Sequence, residues 1–160
     1  MDKRSRKVAF VSHCLLNSNT KARGLVDIFP AISGPVVEAC LRHGVGMVQM
    51  PCPELVLGLD RPSSDPRMYT PGFRKHCRAL ARETARQMAA YKKAGYKVKA
   101  VIGIKGSPSC GVLITNNENG ELAGKGIFME ELAKLTNVPF IEFKRKDLAY
   151  SKKELERVLK

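Results

Sequence analysis

The sequence predicts a three-layer α/β fold, Rossmann- or flavodoxin-like, with a parallel sheet of about four strands and helices on both faces. Three observations carry this reading. A continuous apolar run occurs within Lys7–His13, as in a buried parallel strand, and Gly46–Met50, Lys99–Ile104 and Val138–Phe143 read as three further strands. Segments of helical periodicity lie between them. Strand alternating with helix is the pattern of a parallel sheet covered on both sides, joined by right-handed crossovers. The expected strand order is 2-1-3-4.

Each element has a local cause. Val8, Ala9, Phe10 and Val11 make the first strand, and the polar stretch Asn17 to Gly24 a loop. Pro35 suits a helix start, Val36, Val37, Cys40 and Leu41 give a helical stripe, and Gly44 ends it. The second strand stops at Pro51-Cys52-Pro53, because proline cannot donate to a sheet ladder. Gly58 to Gly72, with three prolines and two serines, reads as a long loop with a binding or lid role. Phe73 to Ala94 is a long helix whose buried stripe is Phe73, Cys77, Leu80, Ala81, Thr84, Met88 and Tyr91. Lys105 to Asn119 is a loop with a short extended piece at Val112–Thr115, and Gly126–Leu135 is a helix. Ser151, with Glu154 three residues on, predicts a capping box for the last helix.

The 160 residues suit one domain, residues 1–160, able to bury a real core. No apolar run approaches the roughly 20 residues of a membrane span. The apolar run after the basic Met1–Lys7 is too short for a signal-peptide core. The expected location is therefore cytoplasmic, with no membrane partner. The formal charge of +13 favours anionic partners such as nucleotides, RNA or phosphorylated metabolites. Much of that charge collects in Lys3–Lys7, Lys92–Lys99 and Lys144–Lys160, at termini and helix ends, so nucleic-acid binding is not the favoured reading. The pattern sets no oligomeric state.

Five cysteines, an odd number in a compartment where disulfides are rare, leave metal binding, catalysis or packing. Cys14, Cys52 and Cys110 each follow one of the first three strands. In an open parallel sheet those strand ends share one edge, where ligands bind, so the three thiols should converge. Three thiolates are a soft ligand set, suited to an iron–sulfur cluster or to zinc. A four-iron cluster normally takes four cysteines; with three, one iron keeps an exchangeable position. Catalytic zinc more commonly includes histidine, and His43 and His76 lie on helices while His13, on an extended segment, would point away from Cys14. Cys40 and Cys77 lie on apolar helix stripes and read as core residues. Glu54, two residues past Cys52, is placed to act as a general base. Ser107 and Ser109 flank a stiffening proline and could bond a substrate or cluster sulfides. Asn17 and Arg23 could reach a ligand from the first loop, and Gly106 and Gly111 could let backbone approach a cluster.

Val11-Ser12-His13-Cys14-Leu15-Leu16-Asn17, Pro51-Cys52-Pro53-Glu54 and Lys105-Gly106-Ser107-Pro108-Ser109-Cys110-Gly111, in this order, resemble the DUF523 family, whose characterised members are thiouracil desulfidases. The resemblance covers about three-quarters of the chain. It implies a 4Fe-4S cluster held by Cys14, Cys52 and Cys110 with one open iron. It also implies a thiolated nucleobase-like substrate, sulfide release by hydrolysis, and catalytic roles for Glu54 and for Ser107 or Ser109. The chain departs from the family where members continue Leu-Leu-Gly and an Arg-Tyr-Asp-Gly-like stretch. Here Asn17 follows Leu16, and Lys21-Ala22-Arg23-Gly24 stands instead. The loop after Glu54 also differs, which marks a divergent branch. Two other readings compete: a non-catalytic carrier of iron–sulfur clusters or sulfide, or of thiolated RNA, and a nucleotide binder. No glycine-rich loop follows the first strand, which ranks the nucleotide binder low.

Overall fold

A computed structural model describes the whole chain, Met1–Lys160. Its elements are β1 (Lys7–Val11), α1 (His13–Leu16), α2 (Gly34–Arg42), β2 (Gly46–Gln49), α3 (Pro71–Lys93), β3 (Lys97–Ile104), β4 (Ile114–Asn117), β5 (Gly120–Ala123), α4 (Ile127–Ala133), β6 (Phe140–Phe143) and α5 (Leu148–Leu159). Four strands form one parallel sheet in the order β2-β1-β3-β6, the predicted 2-1-3-4 with β6 as its fourth member.

Alternation along the strands divides the core into two. Val8, Phe10 and Val101 face one side, where Phe73, Cys77, Ala81 and Met88 of α3 and Phe128, Met129 and Leu132 of α4 meet them. Ala9, Val11, Ala100 and Ile102 face the other side, against Val36, Ala39 and Cys40 of α2 and Leu155 and Leu159 of α5. Phe10, Phe128, Phe143 and Leu132 are among the side chains removed from water, each contributing about 1.5–3 kcal/mol. No helix is long and apolar enough to cross a membrane.

The structure departs from the sequence reading at four places. First, β1 ends at Val11, and His13 and Cys14 begin a helical turn, so the segment is not extended. Second, the extended piece lies at Ile114–Asn117 and pairs antiparallel with Gly120–Ala123 in a separate hairpin. All four residues of β5 are exposed, so no apolar alternation announced it. Third, α5 is capped by Asp147, whose carboxylate accepts from Tyr150 N at 3.1 Å. Ser151 lies inside the helix instead, where its hydroxyl donates to Lys144 O at 3.0 Å and accepts from Lys144 N at 2.8 Å. Asp caps as well as Ser does, and starting at Asp147 brings Leu148 against the core. Fourth, the stretch from Gly58 to Gly72 is not loop throughout: a short 3₁₀ turn runs Pro66–Met68, α3 begins at Pro71, and Arg61, Asp65 and Met68 are buried, while Arg61, Ser63 and Ser64 line a cavity, as a binding role requires.

Helices α3 and α4 are also joined by charge. Glu131 is almost wholly buried and accepts from Arg78 Nε at 2.7 Å and Lys134 Nζ at 2.6 Å. The Lys134 and Arg78 hydrogen bonds hold its carboxyl at about 2, against an ordinary 4.5. A depressed folded-state value stabilises the fold fully above the unfolded value and less as pH falls through the folded one. Wild type should therefore lose part of its unfolding free energy between about pH 4.5 and about pH 2. Glu131→Gln should be less stable at neutral pH and lack that part of the acid slope. Denaturant melts across this range decide it, and parallel slopes for the two proteins would show that Glu131 contributes nothing.

Candidate functional site

Cys14, Cys52 and Cys110 all line one cavity of about 270 Å³ at the C-terminal edge of the sheet. Cys14 is the second residue of α1. Cys52 follows β2 and leads into a 3₁₀ turn at Pro53–Leu57. Cys110 is buried in the loop after β3. Burial pushes the Cys14 thiol up to about 12, and the Cys52 sulfur and the Glu54 carboxylate push in the same direction. Burial also raises Cys52, and raises Cys110 well above the ordinary thiol value, with Cys14 and Cys52 adding to the latter shift. Cys40 and Cys77 are buried in the two cores, away from the cavity wall.

The loop carrying Cys110 is tied at several points. Ile104 N donates to Cys110 O at 2.9 Å, Gly111 N to Ser107 O at 2.9 Å and Met129 N to Ser109 O at 3.1 Å. The Ser107 hydroxyl accepts from Cys110 N at 2.9 Å and lies 3.4 Å from the Ser109 hydroxyl. Gly106, with φ of 84°, lines the cavity. Gly111 does not: a Cβ there would stand 2.5 Å from Ile114 O and 2.9 Å from Ser107 O. Its missing side chain serves the folding of the loop on itself rather than approach to a ligand.

Glu54 is buried at the cavity wall. Its Oε2 accepts from the Ser109 hydroxyl at 2.6 Å, and its Oε1 accepts from Arg61 Nε at 3.2 Å. The Ser109 hydroxyl also reaches Cys110 Sγ at 3.7 Å. Glu54, Ser107 and Ser109 are thus gathered with the three cysteines. Asn17 and Arg23 are not. The Asn17 side-chain oxygen accepts from Asn19 N at 3.2 Å and Asn19 Nδ2 at 3.0 Å, which closes a local turn, and Arg23 is exposed. Their loop presents Thr20, Lys21 and Ala22 to the cavity instead. His13 lines the cavity, but its Nδ1 lies 3.2 Å from Met50 O. The other two histidines hold Pro53 O and Glu156.

Three residues escaped the sequence reading. Arg61, in the proline-rich loop, is almost wholly buried and also donates to Gly58 O at 3.0 Å and Thr20 O at 2.8 Å. Nothing in its neighbourhood marks it. Glu142 of β6 is fully buried, and its Oε1 accepts from Val112 N, Leu113 N and Ile114 N at 2.9–3.2 Å, fixing the chain just past Cys110. An acid between Ile141 and Phe143 in a strand expected to be buried was its available signal. The third is Ser12, which directly follows β1 and whose buried hydroxyl has no hydrogen-bond partner.

Three thiols lining one cavity are soft donors of the type that iron–sulfur clusters and zinc take. No three His, Cys, Asp or Glu side chains are drawn together closely enough to hold a single ion.

No family model matches the chain. The uncharacterized protein MJ0003 of Methanocaldococcus jannaschii is 32% identical over 166 aligned positions, spanning 98% of this chain and 99% of that protein. The chain belongs to that protein's family. A solved structure of the 4Fe-4S-dependent thiouracil desulfidase TudS matches with a TM-score of 0.53 at 20% identity, covering 95% of this chain and 99% of that one. At that identity the likeness is one of fold.

Arg61→Met should leave the Glu54 carboxylate buried without its cation and destabilise the protein by about 3 kcal/mol. Equilibrium unfolding measures this, and a loss below about 1 kcal/mol would show that solvent replaces the pair.

Proposed function

We propose that this protein is an iron–sulfur-dependent desulfidase that hydrolyses a small thiocarbonyl compound, a thiolated nucleobase or similar ring, and releases sulfide. One observation carries the reading: three thiols on three separate strand ends line the same cavity as a buried carboxylate bonded to a serine. The fold likeness to TudS and the three cysteine motifs support it.

In this reading Cys14, Cys52 and Cys110 hold a 4Fe-4S cluster. When bound, it supplies an iron with a free position that accepts sulfur and polarises a C–S bond. The chain's own residues do the rest. Water adds to the thiocarbonyl carbon, and Glu54 takes its proton. Arg61 and Ser109 fix both oxygens of that carboxylate, so it is aimed before substrate arrives. Ser109, between Glu54 and the Cys110 sulfur, is placed to pass a proton towards departing sulfide. Lys21, Lys105 and Arg145 around the cavity favour negative charge as it develops on the ring. Replacing C=S by C=O with water moves no net electrons, so no redox cofactor is consumed.

Anaerobically prepared protein should carry about four irons with matching sulfide. Cys14→Ser, Cys52→Ser or Cys110→Ser should lose them, while Cys40→Ser and Cys77→Ser should not. Stoichiometric zinc without sulfide would overturn the cofactor. In single-turnover assays of sulfide release, Glu54→Ala with a verified cluster should be slower by roughly 100-fold or more. Equal rates would remove Glu54 as the base. No release from any of a panel of thiolated bases and nucleosides would replace the enzyme with a cluster or sulfide carrier.

A further inference from the structure

Helix α3 carries its charge on one side. Its 23 residues hold seven basic side chains and one acid, Glu83. Phe73, Cys77, Ala81, Thr84 and Met88 turn to the core. Lys75, Arg78, Arg82, Arg86 and Lys93 lie opposite them, within an arc of about 80°, and all five are exposed. Only two of the five meet an acid: Arg78 pairs with Glu131 and Arg86 with Glu83. Like charges at i and i+4 destabilise a helix, and Arg78, Arg82 and Arg86 repeat that spacing. A helix serving the fold alone interleaves acids, as α5 does with Glu154 and Glu156 among Lys152, Lys153 and Arg157. The row on α3 therefore has a use outside the fold.

At the C-terminal end of α3 the row meets an aromatic ring. Tyr96 is half-buried: its backbone N donates to Tyr91 O at 3.0 Å, and its ring packs edge-on against Tyr91 with centroids 5.7 Å apart. The Arg6 guanidinium lies 6.0 Å from the centre of the Tyr96 ring, and Lys92, Lys93 and Lys97, close by in the chain, are exposed. A row of cations and a ring are the two elements that hold a single strand, the first by its phosphates and the second by stacking on a base. Residues four apart on a helix advance about 6 Å, comparable with the separation of neighbouring phosphates in an extended strand. We propose that the outward face of α3 and the Tyr96 ring dock single-stranded RNA, with Lys75, Arg78, Arg82, Arg86 and Lys93 on its phosphates and Tyr96 against a base. The partner is RNA rather than DNA because unstacked, accessible bases are the ordinary state of RNA loops and ends. It is not a membrane, because this face offers lipid only Ala79 and Ala89 and no large apolar side chain. The surface is independent of the cluster: Tyr96 precedes β3, and the far end of that strand, Ile104, lines the cavity.

Anisotropy titrations of the anaerobically purified full chain with a labelled single-stranded RNA of about twelve nucleotides test this. Five phosphate contacts give log affinity against log salt a slope of about −3.5. The triple variant Lys75→Gln/Arg82→Gln/Lys93→Gln, which breaks no ion pair, should bind about ten-fold more weakly and flatten that slope by about 2. Tyr96→Leu should bind about five-fold more weakly with the slope unchanged, since stacking releases no counterions. Lys152→Gln/Lys153→Gln/Lys160→Gln removes the same charge from α5 and the residue after it, and should bind as wild type does. An equal loss in that control overturns the proposal, because binding then follows net charge and not this surface. Absence of RNA binding by wild type, tighter binding of DNA of the same sequence, or a preference for phosphatidylserine vesicles overturns it as well. Unchanged binding by a folded Tyr96→Leu overturns the stacking of a base. Should Tyr96→Leu not fold, the two charge variants still decide the surface.

Discussion

Arg61 carries a guanidinium almost wholly out of water, and the arrangement of the cavity depends on what it meets there. An unpaired charge in that position would cost several kcal/mol. The cost is offset because Nε meets the Glu54 carboxylate and the two terminal nitrogens meet Gly58 O and Thr20 O. Arg61's own carbonyl accepts from Arg23 N at 3.0 Å. One residue thus joins the loop after α1 to the turn after β2. Through Glu54 and Ser109 the connection continues into the loop after β3. Each of these loops borders a different cysteine, so the spacing of the thiols is set by a charge that must be satisfied.

The sheet and the loops divide the work. Parallel pairing of β1 with β2 and β3 brings three strand ends to one edge, which fixes where the thiols lie to within a loop's reach. Loops alone would leave them mobile. Here the segment after β3 is tied to β3, α4 and itself by backbone bonds, and Glu142 receives three successive amides just beyond it. That all three amides donate to the one oxygen Oε1 also explains why an acid sits in the middle of an apolar strand.

The fold was legible because β1, the later part of β3 and most of β6 are buried on both faces and read as apolar segments, and the order of appearance constrains the topology; the edge strand β2 is largely exposed. The cysteines were legible because each directly follows such a run and sits among prolines, serines or glycines rather than on a helix stripe. What sequence concealed were relations fixed by distance in space. Asn17 and Arg23 are polar loop residues of the right type, but a local turn holds the first and solvent the second. Lys21 lies between them and lines the cavity instead. Arg61 looks like any loop arginine until its three partners, as many as 41 residues away, are known. The second arm of the β4–β5 hairpin was invisible because its four exposed residues carry no periodic signal.

The pairing of β1 with β3 sets an order of events in synthesis. Lys7 pairs with Lys97 and Val11 with Ile102, so the central strand waits about ninety residues for its neighbour. At about 5–20 residues per second, several seconds pass on the ribosome before that pairing can form. Cys14 and Cys52 are therefore made, and remain unsheltered, well before Cys110 exists to complete the cavity. No chain that ends before Cys110 contains all three thiols. Whatever those sulfurs hold together must reach a chain that already extends past β3 and its following loop.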